Sequence, residues 1–346
     1  MDAKKHYRTL YQSAEGIFSF KAETAEALQT WQSQFRSRLQ EILGLGQMQR
    51  DLADHRLHAE QLSSEYVDGY VREQWLLHVE PTLALPFYLL RPAQASGPLP
   101  LILIPHGHNH PHIYVGLYED EKERQEIIGG DRDIAVQAVK EGYIAIAPTT
   151  RSFGETRTQE DLENNKLSSC RTQLMHGLLL GRTPIGERVW DMSRLLDWAL
   201  ENLAVDEKRI AITGNSGGGT VSLYAAACET RISLAMPGSY FNTFAGSIGS
   251  IHHCDCNYVP GILQLGEMYD VAGLIAPRPF CAIAGQEDPI FPIAEAQLAY
   301  EKLQQVYQVT GNPDDCQLYI GKGGHRYYKD GAWPFVRQEF EKMGGR

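Results

Sequence analysis

The sequence predicts an α/β protein, a mostly parallel central sheet covered by helices on both faces. Two patterns carry that reading. From Leu101 onward, short apolar runs rich in β-branched residues alternate with longer amphipathic segments, joined mostly by short connections. In the middle of this series, Arg209–Thr213 runs straight into Gly214-Asn215-Ser216-Gly217-Gly218. The small-residue segment Thr220–Ala227 follows and reads as a buried helix.

Taken in order, the N-terminal stretch to about Leu45 reads as helical. Leu28, Trp31, Phe35, Leu39 and Ile42 recur at three- and four-residue steps, and Gly44 stands where a helix stops. Tyr70–Glu80 and Leu83–Leu90 flank Pro81 and read as a hairpin, and Arg91–Pro100 as a loop. Leu101–Ile104, Tyr143–Ala147, Ile232–Met236, Pro279–Gly285 and Gln317–Ile320 are the further strands. Asp131–Glu141, Glu187–Leu203, Ile293–Val309 and Ala332–Met343 are the further helices. Two polar, irregular stretches, near 151–186 and 238–266, read as insertions over the sheet edge. Residues 1–69 are expected as a helical extension packed on a single catalytic domain, 70–346.

Composition sets limits. The chain has 346 residues, is 43% hydrophobic and 22% charged, and has a formal net charge of −11, which argues against a nucleic-acid surface. No run approaches the length of a membrane helix, and nothing at the N-terminus resembles a signal peptide. Six cysteines in a chain of this length are not a disulfide framework. A reduced, cytoplasmic protein acting on a small molecule is expected, without cofactor or metal.

The strand, Gly-x-Ser-x-Gly, helix context is that of a nucleophile elbow, with Ser216 on a tight turn that Gly214 and Gly218 leave room for. A serine hydroxyl is a poor nucleophile near neutral pH and needs a base, itself oriented by a carboxylate. Each partner belongs in a loop after a later strand. Asp288, just before Pro289, follows the strand ending at Ala284, with Glu287 as the alternative acid. His325 lies in Gly321-Lys322-Gly323-Gly324-His325 after the last strand. The oxyanion donors expected are the backbone N–H of Gly217 and one from the turn His106-Gly107-His108, assigned by position to His108.

The strand followed by His-Gly-His, the Gly-Asn-Ser-Gly-Gly-Gly, the Gly-Gln-Glu-Asp-Pro-Ile-Phe-Pro and the Gly-Gly-His together resemble the α/β-hydrolase superfamily. More narrowly they are similar to its dienelactone hydrolase-like and acetyl xylan esterase-like branch. The resemblance covers Tyr70 to the C-terminus. It implies a cofactor-independent serine esterase acting through an acyl-enzyme, with Ser216 as nucleophile, His325 as base, Asp288 as its orienter, and Gly217 and His108 as oxyanion donors. Dienelactone hydrolases proper use a cysteine where Ser216 stands, and secreted carbohydrate esterases carry a signal peptide. The first departure weighs against a dienelactone substrate, and the second weighs against polymeric xylan or pectin and favours small acyl or methyl esters, carbohydrate esters among them.

Other features compete. His106, His108, His110 and His112 alternate, and His252-His253-Cys254-Asp255-Cys256 has metal-ligand residue types; these are read as shaping the oxyanion loop and as pocket wall. Arg151, Tyr240 and Trp333 are named as substrate contacts, although Arg151 also suits a structural ion pair with Glu187. Alternative functions are a serine peptidase of the prolyl oligopeptidase type, a non-catalytic binding protein of the same fold, and a metal-dependent hydrolase.

Overall fold

A computed structural model describes residues 2–344. Nine strands form one sheet: β1 (Ala59–Val67), β2 (Tyr70–Glu80), β3 (Leu83–Pro92), β4 (Leu99–Leu103), β5 (Ile144–Pro148), β6 (Val205–Asn215), β7 (Leu234–Gly238), β8 (Phe280–Gly285) and β9 (Cys316–Gly321). Their spatial order is β1-β2-β3-β5-β4-β6-β7-β8-β9. β1, β2, β3 and β5 pair antiparallel, and every pairing from β5 through β4 to β9 is parallel.

The parallel strands read as unbroken apolar runs because both of their faces are covered. Leu101, Leu103, Ile144, Ile146, Ile210 and Ile212 point to one side, into a core shared with the helices Ala25–Leu43, Pro184–Asn202, Gly217–Cys228 and Ile293–Thr310. Ile102, Ile104, Ala145, Ala147, Ala211 and Met236 alternate with them and face the helices Ile134–Lys140 and Lys329–Gly344.

Residues 1–69 are helical in their first part but not throughout. The helix Ala25–Leu43 is capped at its start by the Thr24 hydroxyl and at its end by Gly44 in the left-handed region at φ 85°. It buries Leu28, Phe35, Leu39 and Leu43 in the main core, and the buried Gln32 amide donates to the carbonyls of Gly273 and Ala276. Residues 59–67 are not helical at all but form the edge strand β1. Its sequence, Ala-Glu-Gln-Leu-Ser-Ser-Glu-Tyr-Val, is exposed on both faces, so no apolar alternation marks it, and backbone pairing to β2 alone defines it. The two irregular stretches contain short helices, among them Cys170–Leu179 and the 3-10 turns Gly154–Thr156 and Asp255–Asn257. Among the described residues no helix is long and apolar enough to cross a membrane.

The order of the parallel strands reverses at β4: β5 follows it on one side and β6 on the other. Loops leaving the C-terminal ends of β4 and β6 therefore diverge and open a crevice.

Candidate active site

β6 delivers Ser216 into that crevice. Ser216 sits at φ 59°, ψ −118°, a backbone state that costs of order 1–3 kcal/mol in a non-glycine residue. The turn is held from both sides, because its N–H donates to the Gly238 carbonyl at 2.8 Å and its carbonyl accepts from Thr220 N–H at 2.9 Å. A Cβ on either Gly214 or Gly218 would overlap the Pro105 carbonyl oxygen, so both positions require glycine for the close approach of the β4 loop. Gly217 then opens the helix Gly217–Cys228, whose first-turn N–H groups have no partner inside the helix.

The loops after β8 and β9 bring in a carboxylate and an imidazole. Asp288 is buried, and its two oxygens divide their work. Oδ1 accepts the backbone N–H groups of Ile290 and Phe291, each at 3.0 Å, and Oδ2 lies 2.7 Å from His325 Nδ1. Since an ionised carboxylate only accepts, Nδ1 carries the proton and Nε2 keeps its lone pair. The His325 ring stacks on Phe291 with centroids 5.7 Å apart. Glu287, the alternative acid, is exposed and takes no part in this arrangement.

The loop after β4 is set by His106. Buried and desolvated, its imidazole is pushed down to about 3, so the ring is neutral. Nε2 accepts the Thr150 N–H at 2.9 Å, which puts the proton on Nδ1, 2.7 Å from the Gly107 carbonyl. That carbonyl also accepts from Asn109 N–H at 2.9 Å. In a trans peptide the N–H points opposite the carbonyl, so anchoring Gly107 O turns the His108 N–H the other way. Among the described residues neither the His108 nor the Gly217 N–H has a hydrogen-bond acceptor. A Cβ on Gly217 would lie 3.2 Å from Gly107 Cα, which shows how closely the two loops meet.

Ser216, Gly217, His108 and His325 all line one cleft of 590 Å³, together with Tyr114, Arg132, His252, His253, Phe291 and Arg326. The arrangement brings together the Ser216 hydroxyl, the His325 imidazole and two N–H groups with no acceptor among the described residues, one at the start of the helix Gly217–Cys228 and one in the β4 loop.

A sequence profile of the Abhydrolase family matches residues 6–236, two thirds of the chain and the whole span from the N-terminal helices through the Ser216 elbow. The chain belongs to the Abhydrolase family. It is 25% identical over 284 residues to YtaP, a provisionally named hydrolase of Bacillus subtilis (strain 168), covering 80% of this chain and 89% of that protein. In fold it is similar to a provisionally named acetyl xylan esterase from Bacteroides fragilis NCTC 9343 (TM-score 0.75, 18% identity, 96% of this chain and 84% of the other). It is also similar to methylesterase BT1017 (TM-score 0.69, 18% identity, 98% and 69%). The α/β-hydrolase fold expected from the sequence is therefore the fold observed.

In this Abhydrolase family member three residues expected at the substrate lie elsewhere. Arg151 is buried among carboxylates: its guanidinium meets Asp191 through Nε and Nη2 at 2.8 and 2.7 Å, Glu80 at 2.5 Å and Glu187 at 3.9 Å. Burial raises the Asp191 carboxyl and the Arg151 charge opposes that rise. The network ties β2 to the helix Pro184–Asn202 and leaves Arg151 no group for a ligand. Tyr240 is buried under the elbow, its Cβ against Gly219, and is walled off from the cleft. Trp333 lies on the far face of the sheet, its indole N–H donating to Gln137 Oε1 at 2.8 Å. Both are aromatic residues absorbed by packing.

Arg132 and Arg326 take the place expected of Arg151. Arg326 pairs with Asp131 at 2.8 Å, whereas the Arg132 side chain has no hydrogen-bond partner among the described residues. Nothing local in the sequence distinguishes Arg132 from other loop arginines. Only the packing of the segment before Ile134–Lys140 beside the β4 loop brings it to the cleft.

Proposed function

We propose that the chain is a serine carboxylic-ester hydrolase that works through an acyl-enzyme on small acyl or methyl esters, carbohydrate esters among them. The observation that carries this is the convergence on one cleft of Ser216, on its strained turn, and His325, whose Nδ1 is held by the buried Asp288. In this reading His325 Nε2 takes the Ser216 hydroxyl proton as Oγ adds to the ester carbonyl. The oxygen of the tetrahedral intermediate receives the N–H groups of Gly217 and His108. Collapse expels the alcohol, which leaves with the proton from His325. Water then attacks the acyl-enzyme, with the same histidine as base, and releases the acid and free Ser216.

The acetyl and methyl esters named for the two structural neighbours support the choice of leaving groups. Arg132, with no side-chain partner among the described residues, favours substrates carrying a carboxylate or several hydroxyl groups.

The experiment is hydrolysis of p-nitrophenyl acetate by wild type and Ser216→Ala, with fluorophosphonate labelling followed by peptide mapping. Turnover lost in the variant and a label on Ser216 are expected. Undiminished turnover by Ser216→Ala, or a label elsewhere, would overturn the reading.

A further inference from the structure

The two histidine-containing runs set aside in the sequence converge in space. Cys256 Sγ lies 3.5 Å from His108 Nε2 and 3.4 Å from Cys254 Sγ. Cys170, at the start of the helix Cys170–Leu179, contributes a third sulfur, and all four ligand atoms lie within 4.8 Å of one another. They come from three separate segments, namely the β4 loop and the two inserted stretches. Cys170 and Cys256 are buried, and the Phe153 ring meets His108 edge-on at 5.2 Å.

We infer that His108, Cys170, Cys254 and Cys256 form a zinc site that clamps the β4 loop to both insertions. Two independent observations support it. The first is dimensional. A tetrahedral zinc with bonds of about 2.3 Å to sulfur has ligand–ligand edges of roughly 3.8 Å. Two edges here are already near that length, and the longest needs to contract by only about 1 Å, within the reach of side-chain torsions. Three cysteines and one histidine are also a ligand set that zinc uses in closed, structural sites.

The second observation is charge. Arg188 is 2% exposed, and its Nη2 lies 3.4 Å from Cys170 Sγ. Among the described residues it forms no salt bridge with any carboxylate, and its Nε has no hydrogen-bond partner. Arg151, whose carbonyl accepts from Arg188 Nη2 at 3.1 Å, has three carboxylates around it. An unpaired buried guanidinium is expensive. Three thiolates and a neutral imidazole around a divalent ion carry one net negative charge, the counter-ion that Arg188 lacks.

The four protein ligands complete the coordination, so the metal is structural and no step of ester hydrolysis runs through it. Its effect reaches the cleft through His108. With Nε2 on the metal, the ring is fixed on the side facing Gly217, where a Cβ would stand 3.3 Å from His108 Nδ1. Each thiol gives up its proton on binding, so uptake releases protons and weakens in acid.

The test reads metal independently of turnover, and so is separate from the ester-hydrolase reading. Full-length protein, purified reduced and without chelator, is analysed for metal by mass spectrometry; one zinc per chain is expected. Exchange of zinc for Co²⁺ should produce intense visible bands and near-ultraviolet sulfur-to-cobalt bands of a tetrahedral thiolate site. Cys256→Ser and Cys170→Ser should lose the ion, and Cys228→Ala, in the core away from the cluster, should keep it. Because the wild-type cobalt spectrum is diagnostic by itself, a variant that fails to fold does not decide the matter. Reduced wild type that holds no zinc and gives only the weak spectrum of hydrated Co²⁺ would overturn the inference. So would retention of the ion by a folded Cys170→Ser/Cys256→Ser double variant.

Discussion

Replacing Asp288 by asparagine changes one atom, and the surrounding hydrogen bonds determine the consequence. In the wild type Oδ1 accepts two backbone N–H groups at 3.0 Å and Oδ2 accepts His325 Nδ1–H at 2.7 Å. Asparagine offers one oxygen and one NH₂. If the NH₂ faced Ile290 and Phe291, two buried N–H groups would be left against a donor, at about 1–3 kcal/mol each. The amide oxygen therefore stays at the Oδ1 position and the NH₂ faces His325. Nδ1 must then accept, the imidazole proton moves to Nε2, and the base has no lone pair for Ser216. A wrong tautomer of this kind costs about 10⁴ in kcat, or about 5.5 kcal/mol of barrier. The assay is kcat for p-nitrophenyl acetate, with circular dichroism and Tm to confirm that the fold is kept. Asp288→Ala provides the internal comparison. It strands the two N–H groups, so it should be less stable than Asp288→Asn, yet it leaves the tautomer free and should turn over faster. An Asp288→Asn enzyme within tenfold of wild type, or slower turnover in the alanine variant at full folding, would refute the argument.

Three other outcomes follow from the same packing. Arg151→Ala leaves the buried Asp191 without its cation, while Glu80 and Glu187 keep Arg182, and should cost about 3–5 kcal/mol of stability, with KM for neutral esters unchanged; a raised KM at unchanged Tm would make Arg151 a substrate contact after all. Gly218→Ala forces a methyl group into the Pro105 carbonyl and should leave little soluble, folded protein; wild-type yield and Tm would show that the elbow has room. His106 takes a proton near pH 6.5 in the unfolded chain but only near 3 in the fold, so the unfolded state binds more protons between those values and stability falls with acid. The loss attributable to this residue is about 2 kcal/mol between pH 7 and pH 5. Urea unfolding at both pH values should show a smaller loss in His106→Gln than in wild type, and equal losses would count against a buried neutral His106.

Much of this architecture is legible in one chain because its determinants are local. An apolar β-branched run covered on both faces looks the same wherever it packs, so β4 to β9 are readable as they stand. The elbow is readable because Gly-x-Ser-x-Gly stands directly between a recognisable strand and helix, although the close approach that demands glycine at 214 and 218 is made by Pro105 of the distant β4 loop, and Asp288 and His325 each follow a strand that can be recognised. β1 is not readable, since its partners are backbone groups of β2 and its side chains face solvent. Residue type likewise does not say which cavity a side chain reaches. Arg151, Tyr240 and Trp333 have the chemistry of substrate contacts but are spent on an ion network and on packing, whereas Arg132 carries no local signal and reaches the cleft. The sequence alone thus determined the parallel part of the sheet, the place of the turn between strand and helix and the order of Ser216, Asp288 and His325, because the polarity and volume patterns that mark strands and helices are local. Only the tertiary structure decided what lines the cleft and what gathers around His108. Those juxtapositions join loops far apart in the chain, and they exist only once the whole core has closed beneath them.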